Sequence, residues 1–268
     1  MDGPEPGRPE EMQPPAPLNA VMIDGLEKAF GEKRAVDGVT LRVPAGSFFG
    51  IVGPNGAGKT TTLRMACGLL RPDAGRIELD GVDVWSDPAE AKRRYGLVPD
   101  TPILFDRLSG REVLEFNGLL RGLDSTLIGE RSAELLAVLG LEGEADRLVG
   151  DYSLGMTKKV ALACALLHAP RVLILDEPFG AIDPLSTQVV ESILRRFTEG
   201  GGTVVFSSHV MDVVERLCDQ IAIIADGRVL ASGSIASLAG GRRLQDVFIE
   251  LLGGTDMLGD GLAWLAAA

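Results

Sequence analysis

Phe48-Phe49-Gly50-Ile51-Val52-Gly53-Pro54-Asn55-Gly56-Ala57-Gly58-Lys59-Thr60 decides how this chain is read. The stretch from Phe48 to Val52 is apolar without alternation, as a strand buried on both faces requires. It runs into a glycine-rich turn and then a helical pattern from about Lys59 to Leu69. The same order recurs where Val172 to Leu175 is followed by a helix from Pro184. Two strand, loop and helix units predict an α/β fold with a mostly parallel sheet covered by helices.

Outward from that core the pattern changes twice. Val21 to Leu26 reads as a strand, and Val39, Leu41 and Val43 alternate as a half-buried strand does. Asp80-Gly81, set between the alternating apolar residues of Arg76 to Val84, is a hairpin signal. An antiparallel β portion is therefore expected beside the parallel core. Between about Ile103 and Leu148 the strand signals stop and a helical subdomain is expected, over about residues 101–160. Ser109 and Glu112 form a capping box at the start of its first helix, which runs to about Arg121. Thr203 to Phe206, Gln220 to Ala225 and Arg228 to Ala231 read as strands, with a helix over Val210 to Leu217 and a tight turn at Asp226-Gly227. Leu244 to Leu252 carries an amphipathic helical pattern. The expected organisation is a disordered Pro-rich tail at 1–18, a globular domain at 19–240 and a helical tail at 241–268.

Composition sets bounds on function. With 268 residues and 46% hydrophobic content the chain can bury a large core. Its 26 basic and 38 acidic residues give a net charge of -12, which repels phosphate backbones and argues against nucleic acid as a partner. Cys67, Cys164 and Cys218 lie in apolar segments at no metal-ligand spacing and read as buried thiols. The most apolar helical stretch, Val160 to Leu167, is about half of the roughly 18 to 20 residues that a bilayer crossing needs, so no membrane span is expected. The acidic, Pro-rich N-terminus lacks the basic end and apolar stretch of a signal peptide.

Gly53-Pro54-Asn55-Gly56-Ala57-Gly58-Lys59-Thr60 fits the P-loop pattern, with four residues between the first Gly and Gly-Lys-Thr. The glycines let backbone amides gather around phosphate oxygens, and the following helix adds its positive N-terminal end. Lys59 is placed to neutralise the β- and γ-phosphates of a nucleotide such as ATP, and the Thr60 hydroxyl to ligate Mg²⁺, with Thr61 alongside. Asp176 and Glu177 end the second apolar strand, at the edge where an α/β sheet binds its ligands. Asp176 is the second Mg²⁺ candidate and Glu177 the candidate general base.

Further residues narrow the family. Tyr152-Ser153-Leu154-Gly155-Met156 resembles the Leu-Ser-Gly-Gly-Gln signature of ABC ATPases, matching at Ser153 and Gly155 and departing at the other three positions. Gly180-Ala181-Ile182-Asp183 resembles the D-loop, Ser207-Ser208-His209 the segment with the switch histidine, and Phe30 the aromatic residue that stacks on adenine. The order and spacing hold over about residues 20 to 232. Leu244-Gln245-Asp246-Val247-Phe248 also resembles the tails of export-type subunits. The resemblance implies a homodimer or heterodimer of ATPase subunits arranged head to tail, with ATP between one subunit's P-loop and the other's Ser153 and Gly155. It also implies a transmembrane permease partner, and hence a cytoplasmic chain held at the inner face of the cell membrane. In that setting His209 contacts the γ-phosphate and helps Glu177 hold the attacking water. Read without it, Ser153 is a helix cap, His209 a structural hydrogen-bonding residue and Phe30 part of the core.

One position departs from the family. A Gln is usual in the loop leading to the helical subdomain, but no Gln occurs between Gln13 and Gln188, and Leu97-Val98-Pro99-Asp100 occupies that stretch. Asp100 is read as its replacement: a carboxylate able to ligate Mg²⁺ yet unable to donate a hydrogen bond as an amide does. Two other functions compete with transport: a soluble ABC ATPase, for which tandem cassettes or a long coiled-coil insertion would be expected, and a degenerate subunit of low activity, suggested by Asp100 and the altered signature.

Overall fold

A computed structural model describes residues 19–254. β1 (Asn19–Phe30) and β2 (Lys33–Pro44) form a long antiparallel hairpin, and β3 (Phe48–Val52) leads through the glycine-rich loop into α1 (Lys59–Ala66). β4 (Ala74–Leu79) and β5 (Val82–Asp83) follow, then α2 (Pro88–Arg94) and β6 (Tyr95–Val98). α3 (Gly110–Leu120), α4 (Ser125–Val138) and α5 (Leu154–Leu166) make up the helical segment. The chain returns through β7 (Val172–Asp176), α6 (Pro184–Glu199), β8 (Thr203–Ser208), α7 (Met211–Leu217), β9 (Gln220–Ala225) and β10 (Arg228–Ser234). It closes with α8 (Ile235–Ala239) and α9 (Leu244–Leu251).

The strands form two sheets. One is antiparallel, in the order β2-β1-β4-β5; the other has six strands in the order β10-β9-β3-β8-β7-β6, parallel except for β10 on β9. Alternate side chains of the six-stranded sheet enter two separate cores. Phe49 and Ile51 face the β1–β2 hairpin and α1, whereas Phe48 and Val52 join Leu173, Leu175 and Phe206 in the core with α5, α6 and α7. This double burial is why β3 and β7 read as continuous apolar runs. Phe206 meets the rings of Phe48 and Phe179 edge-on at 5.5 and 5.9 Å, beneath the end of β7.

The capping box is present: Ser109 Oγ accepts from Glu112 N–H, and the Glu112 carboxylate accepts from Ser109 N–H at 2.7 Å. The helix expected to reach Leu69 stops at Ala66. Gly68 takes φ +66°, and the N–H groups of Leu69 and Leu70 turn back to the Arg64 carbonyl, a left-handed C-terminal cap. The Pro-rich tail at 1–18 and the last residues of the expected helical tail lie outside the described residues. Among the described residues no helix is long and apolar enough to cross a membrane. Cys67 and Cys164 are buried as expected, and Cys218 is partly so.

Candidate nucleotide site

Strand register gathers the candidate residues at one edge of the sheet. Val52 pairs with Ser208, Asp176 with Ser207, and Leu175 with Val98. The segments leaving these strand ends therefore carry the P-loop, Glu177, His209 and Asp100 to a common edge, where an α/β sheet binds its ligands.

The loop from Gly53 to Gly58 fits tightly against its surroundings. A Cβ on Gly53 would stand 2.1 Å from the Ile224 carbonyl oxygen; Gly58, at φ +104°, would place one 2.4 Å from that of Ala35. Both positions need glycine on steric grounds. Gly227 N–H donates to the Ala57 carbonyl at 3.0 Å, tying the loop to the β9–β10 turn. No side chain caps α1, so the amides of its first turn are left for an anion. Lys59 is buried, and its Nζ donates to the carbonyls of Gly53 at 2.7 Å and Pro54 at 3.1 Å. Burial lowers its pKa, and the nearby charges of Glu177 and Asp176 partly oppose that shift.

Asp176 is buried and accepts from two hydroxyls, Thr60 Oγ1 at 3.1 Å and Ser207 Oγ at 2.6 Å. Glu177 holds φ +47°, a left-handed backbone rarely taken by a side chain of this size. Its N–H donates to Ser207 Oγ at 3.0 Å, and its Oε1 lies 2.9 Å from His209 Nδ1. His209 is thus placed on the candidate base at the cleft and is mostly solvent-exposed, unlike a packed structural histidine.

A cleft of about 360 Å³ lies over the loop, lined by Phe30, Lys33, Ala35, Asn55 to Thr61, Asp100 and Glu177. Phe30 is 52% exposed, so it does not belong to the core. Pro54 lines an adjoining hollow with Asn55, Gly56 and Asp226. Ser153 and Gly155 are not among the cleft residues. Ser153 caps α5, accepting from Met156 N–H at 3.2 Å, and a Cβ on Gly155 would stand 3.0 Å from the Ala181 carbonyl oxygen. Lys33 and Ala35, which line the cleft, and Ser207 and Lys158, which hydrogen-bond to Asp176 or Glu177, also stand at the site. The roles of Ser207 and Lys158 depend on partners that are remote in sequence, and no local signal marks them.

Fold and site together define a P-loop nucleotide-binding protein. Residues 36–180 match the family model described as ABC transporter, and the chain belongs to that family, as one of its ATP-binding, ATP-hydrolysing subunits. It is 40% identical over 222 residues to the daunorubicin/doxorubicin resistance ATP-binding protein DrrA of Streptomyces peucetius, covering 83% of this chain and 67% of that protein. A solved ATP-binding subunit of an ABC transporter superposes with a TM-score of 0.83 at 29% identity, over 87% of this chain and 99% of that one. A dimeric ATP-binding cassette in a post-hydrolysis state, bound to ADP and Pi, gives 0.74 at 26% identity over 80% and 98%.

Proposed function

We propose that the cleft over Gly53 to Thr61 takes the triphosphate of ATP, with Phe30 stacked on the base and Lys59 opposing the phosphate charge. The uncapped start of α1 supports this reading, because its amides and helix dipole favour an anion there. Mg²⁺ fits the donors present. Thr60 and Asp176 bring a hydroxyl and a carboxylate within 3.1 Å of each other, and this cation prefers a few protein oxygens completed by phosphate and water. Asp100, which also lines the cleft, is the third candidate ligand. When bound, the ion supplies positive charge against the β- and γ-phosphates. Glu177 accepts a proton from the attacking water, and His209 orients the carboxylate that receives it. The observation that carries this assignment is the His209–Glu177 contact beside the P-loop cleft.

Ser153 and Gly155 serve the neighbouring subunit in this reading, since they stand apart from this chain's own cleft. A second copy, opposed head to tail, brings the N-terminus of its α5 to the γ-phosphate. Closure of that dimer on ATP is the motion passed to a transmembrane permease, which holds the chain at the inner face of the membrane. Exposed apolar residues support a docking surface for it on the helical segment: Phe116, Leu119 and Leu120 on α3, with Phe105 of the preceding loop set edge-on to Phe116 at 5.1 Å. The resistance function named for the DrrA relative favours efflux. The test is light scattering on the Glu177→Gln chain, which is expected to bind ATP while turning it over far more slowly. A shift from monomer to dimer on adding ATP and Mg²⁺ is expected; a monomer at every ATP concentration would contradict the reading.

A further inference from the structure

Lys158 lies on α5, and its side chain is 3% exposed. Lysines are rarely so buried unless paired. Its Nζ donates to the Glu177 carbonyl at 2.8 Å and stands 3.4 Å from Asp100 Oδ1. The Glu177 peptide groups are thereby held on both sides, the N–H by Ser207 and the carbonyl by Lys158, with Gly180 N–H adding a weaker bond to that carbonyl at 3.3 Å. A left-handed glutamate persists only where its surroundings over-determine it, and these contacts supply that constraint.

We propose that Lys158 is a positioning residue. From the helix whose N-terminus is offered to the second copy, it fixes the backbone of the base Glu177 and opposes the charge of Asp100. This rests on the dimeric ATPase reading above. An amide at position 100 would bring no charge and need no counterion, whereas Asp100 sets a carboxylate at the cleft and Lys158 supplies the opposing ammonium. Ser153, at the start of α5, is five residues from Lys158. Lys158 touches no reacting atom; it acts through Glu177.

The experiment compares Lys158→Met, Lys158→Arg and Lys158→Met/Asp100→Asn for ATP turnover, and repeats each in the Glu177→Gln background for ATP-driven dimerisation. Lys158→Met is expected to lose at least tenfold in kcat while the ATP concentration for half-maximal dimerisation stays within threefold. Lys158→Arg is expected to retain most turnover. Adding Asp100→Asn to Lys158→Met is expected to recover at least threefold, because the unopposed carboxylate is gone. Turnover of Lys158→Met within twofold of wild type, equal loss of turnover and dimerisation, or no recovery with Asp100→Asn overturns the proposal. Should Lys158→Met fail to fold, Lys158→Gln replaces it; this keeps a donor for Glu177 but no charge, and wild-type turnover in it would overturn the part of the role that rests on opposing Asp100. A wild-type chain that neither turns over ATP nor dimerises in the Glu177→Gln form sinks the underlying reading instead.

Discussion

His209 Nδ1 sits 2.9 Å from Glu177 Oε1, so the imidazole at the end of β8 and the carboxylate at the end of β7 act on one another across neighbouring strands. Removing the base alone, in Glu177→Gln, is expected to cut ATP turnover by about a hundredfold or more, the usual scale for a lost general base. His209→Ala should lower it by about tenfold or more with ATP affinity held within a few fold. Because the two groups form a unit, the double variant should be little worse than Glu177→Gln alone. Phosphate-release kinetics on the three proteins check this, and strict additivity would separate the two roles.

Asp100 lines the cleft with Glu177, and we read it as the replacement for the glutamine usual in the family. Asp100→Ala is expected to raise the Mg²⁺ concentration for half-maximal turnover severalfold, with ATP binding in the absence of divalent ion changed much less. Titration of turnover with Mg²⁺ at saturating ATP reads the effect. Unchanged Mg²⁺ dependence and unchanged turnover would make Asp100 an ordinary turn residue.

The second histidine has a different role. Burial, and then the Arg121 guanidinium beside it, push the His168 pKa down to about 4 from its usual 6.5. The folded chain therefore resists a proton that the unfolded chain accepts. Stability contributed by neutral His168 is intact above about pH 6.5, falls as the pH drops towards 4, and levels off below that. Urea midpoints of wild type and His168→Gln, compared over this window, should diverge in slope, with the variant flatter. Parallel slopes would place the titration elsewhere.

Local signals in the sequence account for much of this architecture. The P-loop, the acidic pair 176–177 and the capping box are contiguous patterns, and all three stand where the sequence places them. α2 and β6 were not anticipated. β6 is a four-residue edge strand, and its Gly96 looks like a breaker when read alone. In the fold a Cβ at Gly96 would stand 2.1 Å from the Ala165 carbonyl oxygen, so glycine is there to let α5 approach. That need arises only once the helix is packed. Lys158 escaped for the same reason: its partners are a backbone carbonyl 19 residues away and a carboxylate 58 residues away, and nothing beside it in sequence marks a buried ammonium. Phe30 reads as core by type, yet the end of the β1–β2 hairpin leaves it at the rim of the cleft.

The phosphate cradle is tested most directly by calorimetric titration of ATP and Mg²⁺ into the wild-type chain and into Lys59→Ala. One nucleotide per chain is expected for wild type, with affinity lost by about a hundredfold in Lys59→Ala, on the scale of about 3 kcal/mol for a charge-assisted contact. Equal affinity in the two proteins, together with equal turnover, would contradict a triphosphate held at residues 53–60.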